Sequence, residues 1–171
     1  VIDLRDKIFV TIDGKNAKDF DDAVLGEKDE EGNLILYVAI ADVGRYVDIA
    51  SNLDKEACDR STSVYFSQKV IPMLPEELSN DLCSLKPNED RFCLVCKTKV
   101  DEHGNLRDTS FFEAIINSKS RLTYATVTRE AEKNQFKKPY ANSLRTLLEI
   151  YKRLKANRTD RGSLELEVPT Y

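Results

Sequence analysis

The sequence predicts an α+β fold, a mixed, largely antiparallel sheet with flanking helices. Three observations carry that expectation. An apolar run from Leu34 to Ile40 is bounded by turn residues, and "RFCLVCKTKV" (91–100) alternates with period two, both as strands do. Polar stretches at Glu30 to Asn33 and Glu102 to Asn105 join these runs to neighbours as hairpins. Leu144, Leu147, Leu148, Tyr151 and Leu154 recur at spacings of three and four, the stripe of an amphipathic helix over 141–158.

The elements follow in order. "KIFVTID" reads as a strand ending at Asp13, with Gly14 suited to the turn after it. A short strand near Ala23 to Leu25 then pairs with Leu34 to Ile40 as a hairpin. "SNLDKEACDRSTS" is a helix, because Ser51 can cap it with Asp54 three residues on. "VYF" is a short extended segment. In "VIPMLPEELSNDLCSL", Pro72 and Pro75 forbid a continuous helix, which leaves an ordered loop with short helical turns. Leu78, Leu82 and Leu85 are expected in the core there, with Ser79 and Asn80 as loop-holding groups. "FCLVCKTKVDEHGNLRDTSFFEAIINSKSRL" is strand, turn and strand, and a short helix follows near Tyr124 to Lys133. Arg161 and Gly162 end the 141–158 helix, and "SLELEV" alternates as a last strand.

The chain has 171 residues, 41% of them apolar, and no repeat or low-complexity linker divides it. At this size folding buries roughly 70% of the unfolded surface, enough for one real core. No apolar run nears the roughly 20 residues that cross a bilayer, so the expectation is a soluble, cytoplasmic protein with no membrane partner. A net charge of -4 and a pI of 5.2 argue, taken alone, against a polyanion partner. Acidic clusters that hold cations can nevertheless coexist with basic grooves, and a module can borrow basic surface from its neighbours. Cys93 and Cys96 have the spacing of a zinc knuckle, but on a strand they face opposite ways, and no second such pair exists. Cys58, Cys83, Cys93 and Cys96 read as buried reduced thiols.

"TIDGKNAKDFDDA" (11–23) sets Asp13, Asp19, Asp21 and Asp22 within ten positions beside only two lysines. Unit charges 4 Å apart repel by about 4 kcal/mol at an effective dielectric near 20, so converging carboxylates either titrate upward or hold cations. Oxygen-only ligands suit the hard ions Mg²⁺ and Mn²⁺, and a pair of such ions can clamp a phosphodiester. All four can converge only if 14–22 is an irregular loop, since Asp21 and Asp22 on an ideal strand face opposite ways. A solvated acidic turn and a sugar-nucleotide transferase site are the alternatives. A calcium EF-hand fails, because Lys18 stands where its loop needs glycine.

Longer stretches narrow the choice. "DLRDKIFVTIDGKNAKDFDDAV", "LYVAIADVGRYV", "LDKEACDRSTSVYF", "VIPMLPEELSNDLCSL" and "SRLTYATV" occur in that order. Together they resemble the catalytic (RNB) domain of the RNase II/RNase R family, from about Asp3 to Glu167. The resemblance implies a processive, Mg²⁺-dependent hydrolase, with Mn²⁺ as a substitute, that degrades single-stranded RNA from 3′ to 5′ and releases nucleoside 5′-monophosphates. It implies that Asp13 and Asp22 hold one Mg²⁺ at the scissile phosphate, that Asp19 supports a second, and that Asp21 orients or deprotonates water. Tyr65 matches the family tyrosine that packs on the terminal nucleotide and sets the final product length. Asp42 also matches a family position, where a strand-end cap is as good an account as a site role.

The resemblance further implies a partial RNB catalytic domain, with residues 1–171 as its N-terminal part. The domain's second half, with an arginine-rich motif, a base-stacking aromatic and a glutamate, does not match anything here, nor do the flanking cold-shock and S1 barrels. Two other functions are open for this stretch: a catalytically silent RNA-binding or assembly domain, and another Mg²⁺-dependent phosphotransfer enzyme.

Overall fold

A computed structural model describes residues 1–67 and 69–163. Its strands are β1 (Ile2–Asp3), β2 (Val10–Asp13), β3 (Asp22–Lys28), β4 (Leu34–Ala41), β5 (Val64–Tyr65), β6 (Val70–Ile71), β7 (Asp90–Val100), β8 (Leu106–Asn117) and β9 (Ser120–Thr123). The helices are α1 (Asn52–Arg60), α2 (Tyr124–Glu132) and α3 (Ala141–Asp160). Seven strands form one sheet in the order β1-β8-β7-β4-β3-β2-β9, while β5 and β6 make a separate hairpin. The central pairings are antiparallel, and the two edge pairings, β1 with β8 and β2 with β9, are parallel. The mixed, largely antiparallel α+β fold is therefore present.

Strand alternation decides which core each side chain enters. Phe9 packs with Leu25, Ile35, Tyr37, Ala39, Cys93 and Ile116 on one face, and its neighbour Val10 packs with Leu122, Tyr140 and Leu144 on the other. Burying a side chain of Leu or Phe size contributes about 1.5–3 kcal/mol, so these two layers dominate the favourable side of folding. The second layer is closed by α3. Gly26 lets it come close: a Cβ there would lie 2.8 Å from the Leu147 nitrogen, and the Gly26 N–H donates to Ser143 Oγ at 3.1 Å. At the far end of α3, Gly104 takes φ +75° in the β7–β8 turn, where a Cβ would meet the Arg153 carbonyl oxygen at 2.4 Å.

Helix α1 starts as the sequence indicates, since Ser51 Oγ accepts from Asp54 N at 3.1 Å and the Asp54 carboxylate accepts from Ala50 N at 2.8 Å. The proline-rich segment holds a single π-helical turn, Leu78–Leu82. Three expectations are corrected. Tyr151, placed in the apolar stripe of α3, is 56% exposed, because the buried face runs through Leu144 and Ile150 instead. Leu82 is exposed while Leu85 is fully buried. Cys58 is exposed on α1, and Cys96 is half-buried on the sheet face opposite Cys93. The strand expected over Ser163 to Val168 lies, beyond its first residue, outside the described residues. Among the described residues no helix is long and apolar enough to cross a membrane.

Candidate functional site

Strand β2 ends at Asp13 and β3 begins at Asp22, so the antiparallel pair presents both carboxylates at one strand end. Between them, residues 14–21 are irregular, as convergence requires. Asp13 is also held from its other side, where β9 sets Thr123 opposite it. Asp21 is fixed through its carbonyl, which accepts from Ala41 N at 2.9 Å just past the β4 partner of Asp22.

Asp13 is half-buried, and its carboxyl is raised above the ordinary range, chiefly by burial and then by the Asp22 charge, with Asp19 adding to it. The Asp21 carboxyl is raised as well, by burial first and then by Asp19 and Asp22. Asp19 and Asp22 thus act on both Asp13 and Asp21, so the four charges lie within electrostatic reach of one another. No ion pair among the described residues involves any of them. Asp13 Oδ2 is buried without a hydrogen-bond partner, an arrangement that costs stability unless a cation fills it.

The fit to a divalent ion rests on that orphaned oxygen and on an all-carboxylate donor set. A finished cage is absent: among the described residues, no three acidic, histidine or cysteine groups stand close enough to hold a metal. Tyr65 reaches the site from the β5–β6 hairpin, donating its hydroxyl to Asp19 Oδ2 at 3.2 Å while its ring stays 65% exposed. Burial and the Asp19 charge raise its phenol above the ordinary range.

Other residues resolve differently. Asp42 closes β4, and its carboxylate pairs with Arg45 at 3.1 Å, whose guanidinium lies 4.1 Å from the centre of the Phe92 ring. Its carboxylate is thus engaged in an ion pair at the strand end. Ser79 bonds to neighbouring Asn80 at 3.4 Å, a contact within its own segment that does not reach the aspartate loop. Ser84, five residues on, does: it is fully buried, accepts from Phe20 N and donates to Lys18 O, both at 3.1 Å. Arg121 was also missed. Its Nη2 donates to the carbonyls of Gly14 at 2.8 Å and Lys15 at 2.6 Å, and its guanidinium lies 5.5 Å from the centre of the buried Phe20 ring. A groove of about 830 Å³ between β3 and α3, lined by Gly26, Ser143 and Glu149, contains none of the four aspartates.

Known proteins share this arrangement of elements. The RNB domain family profile matches residues 1–171. Ribonuclease R of Vibrio parahaemolyticus is 48% identical over 170 residues, covering 97% of this chain and 20% of that protein. The structure of Mycoplasma genitalium RNase R in complex with double-stranded RNA superposes with a TM-score of 0.88 at 36% identity, covering 96% of this chain and 30% of that one. Yeast Ssd1, a pseudonuclease, shares the fold at 21% identity and a TM-score of 0.79, covering 93% of this chain and 19% of that one. The chain thus spans about a fifth of the length of the curated relatives it matches.

Proposed function

This chain belongs to the RNB domain family, and from that membership we propose that it is the N-terminal part of the catalytic domain of a 3′-to-5′ exoribonuclease. The proposed reaction is processive hydrolysis of single-stranded RNA to nucleoside 5′-monophosphates. The observation that supports it best is the gathering of four carboxylates without an ion pair among the described residues, one with a buried orphan oxygen, beside an exposed aromatic ring.

Asp13 and Asp22, at facing strand ends, are the residues that would hold Mg²⁺ or Mn²⁺, with Asp19 supporting a second ion. When bound, such an ion supplies neutralisation of phosphodiester charge and a lowered cost of forming hydroxide. Asp21 orients the attacking water and accepts its proton. Tyr65 offers its exposed face to the terminal base, and the hydroxyl bond to Asp19 fixes where the ring stands relative to the carboxylates. The remaining half of the domain and cold-shock and S1 domains would supply the other RNA contacts.

Because no described triad forms a closed cage, a catalytically silent RNA-binding domain is the second reading. The two are separated by titrating Mn²⁺ into the intact protein and into its Asp21→Asn/Asp22→Asn variant, by relaxation or calorimetry. Saturable binding by the wild type that the variant loses is expected. Equal binding by both, or none by the wild type with RNA retained in EDTA, would establish the silent domain instead.

A further inference from the structure

The loop that carries Asp19 and Asp21 does little to hold itself. Its described internal backbone bonding is a single contact, Ala17 N to Gly14 O at 3.2 Å, while its carboxylates repel one another. Something outside must keep it inward. Outside contacts do so: Arg121 grips the Gly14 and Lys15 carbonyls, Ser84 grips the backbone on both sides of Asp19, and the Leu85 and Ala41 N–H groups donate to the carbonyls of Phe20 and Asp21.

We propose that Ser84 is a positioning residue for the reaction, setting the aspartate loop in the place where its carboxylates can share a cation. This rests on the metal site proposed above. The Lys18 carbonyl and the Phe20 N–H, on either side of Asp19, both end on the one Ser84 hydroxyl, and the next residue's N–H, from Leu85, donates to Phe20 O at 2.8 Å. The hydroxyl is itself immobile. Ser84 is fully buried, its N–H donates to Asp81 O at 3.0 Å, and its carbonyl accepts from Arg91 Nε at 3.0 Å. Without that oxygen, a buried donor and acceptor lose their partner, and the loop satisfies them by moving toward solvent, the direction in which repulsion also pushes it. Arg121 is the poorer probe, because its charge also reaches Asp13 and its loss would alter field and position together. Ser84 is neutral, so it isolates position.

The test compares Ser84→Ala and Ser84→Thr with Thr98→Val in the intact protein. Thr98 is the control: its hydroxyl is equally buried and bonds Arg107 O and Thr109 Oγ1, away from the loop. The readouts are Mn²⁺ affinity by electron paramagnetic resonance, the Mg²⁺ concentration for half-maximal hydrolysis, and Tm. Ser84→Ala is expected to weaken Mn²⁺ binding and raise the Mg²⁺ requirement about tenfold, with excess Mg²⁺ restoring rate. Ser84→Thr should recover part of both, and Thr98→Val should lower Tm with Mn²⁺ affinity unchanged. If Ser84→Ala does not fold, Ser84→Cys, similar in size with a weaker donor, takes its place. Unchanged Mn²⁺ affinity in the Ser84 variants, while Asp21→Asn/Asp22→Asn abolishes it, would overturn the positioning role alone. No Mn²⁺ binding by the wild type would overturn the metal site and this role together.

Discussion

In the turns "DEEGN" (29–33) and "DEHGN" (101–105) the leading aspartate accepts hydrogen bonds from the turn it begins, whereas the loop from β2 to β3 gives its aspartates no such backbone donors among the described residues. Asp101 Oδ1 accepts from His103 N at 2.9 Å and Asn105 N at 2.8 Å, and Oδ2 from Arg107 at 3.2 Å. Its carboxyl is lowered to about 2, first by the Asn105 backbone bond. Asp29 is lowered in the same way, chiefly by the Asn33 side chain. Gly32 and Gly104 supply the positive φ, 84° and 75°, that folds each turn back onto its aspartate. Asp13 and Asp21 are shifted in the opposite direction by burial and like charge. One residue type therefore stabilises where donors surround its charge and destabilises where other carboxylates do. The first arrangement builds hairpins, and the second leaves a demand for cations.

The sharpest way to break this contrast is to make the same substitution in both places. In the intact protein, Asp21→Asn should lower turnover by on the order of 100-fold or more, because the proposed role places the group in the transition state, while RNA binding stays close to wild type. Asp101→Asn should leave turnover intact and lower Tm. Initial rates, filter binding and melting curves on both variants decide it. An Asp21→Asn enzyme with more than about a tenth of wild-type turnover would remove Asp21 from the chemistry.

Tyr65 gives a smaller effect. A base stacked on an aromatic ring contributes about 1–3 kcal/mol, which long RNA with many other contacts barely misses and a fragment of a few nucleotides cannot spare. Tyr65→Ala should therefore change the size of the smallest undigested RNA, resolved on a denaturing gel, while sparing most of the rate on long substrates. Its ring is exposed, so little stability should be lost. An unchanged product ladder with a lowered Tm would instead assign it to packing on the hairpin.

The contrast between the two acidic regions was only half legible in the sequence. Both hairpin turns were, because glycine and asparagine after a run of charge specify them locally, and the helices were, through Ser51 and the spacing of leucines. The irregular loop followed from the opposite facing of Asp21 and Asp22. What was hidden is what acts across distance. Tyr65 finds Asp19 from 46 positions away, and Ser84 reaches Phe20 from 64 away. The resemblance pointed to Tyr65 but no local pattern marks either contact, and the serines and asparagine of "LSNDLCSL" look alike until Ser84, just past the π-helical turn, is buried. The parallel edge pairings were equally invisible, since β1 and β9 are too short to alternate convincingly.

The smallest effect tests the cost of the cluster itself. In metal-free protein the raised carboxyls of Asp13 and Asp21 mean that the folded state binds more protons than the unfolded one just above the unfolded carboxylate range. Stability contributed by that difference is complete below the unfolded pKa and is lost as pH rises through the folded one, so at neutral pH the cluster weighs against folding. Asp21→Asn removes one repelling charge, and its side chain reaches solvent, so the amide needs no buried partner. In EDTA at pH 7 the variant should melt about 1–2 °C above wild type, with the gap closing near pH 4. Added Mg²⁺ should raise the Tm of both proteins, because the variant keeps Asp13, Asp19 and Asp22. Asp101→Asn should behave oppositely: destabilised at pH 7, with or without Mg²⁺, and level with wild type only as pH falls toward about 2. An Asp21→Asn protein that melts below wild type in EDTA would show that Asp21 has a structural partner, and the two acidic regions would then differ in degree rather than in kind.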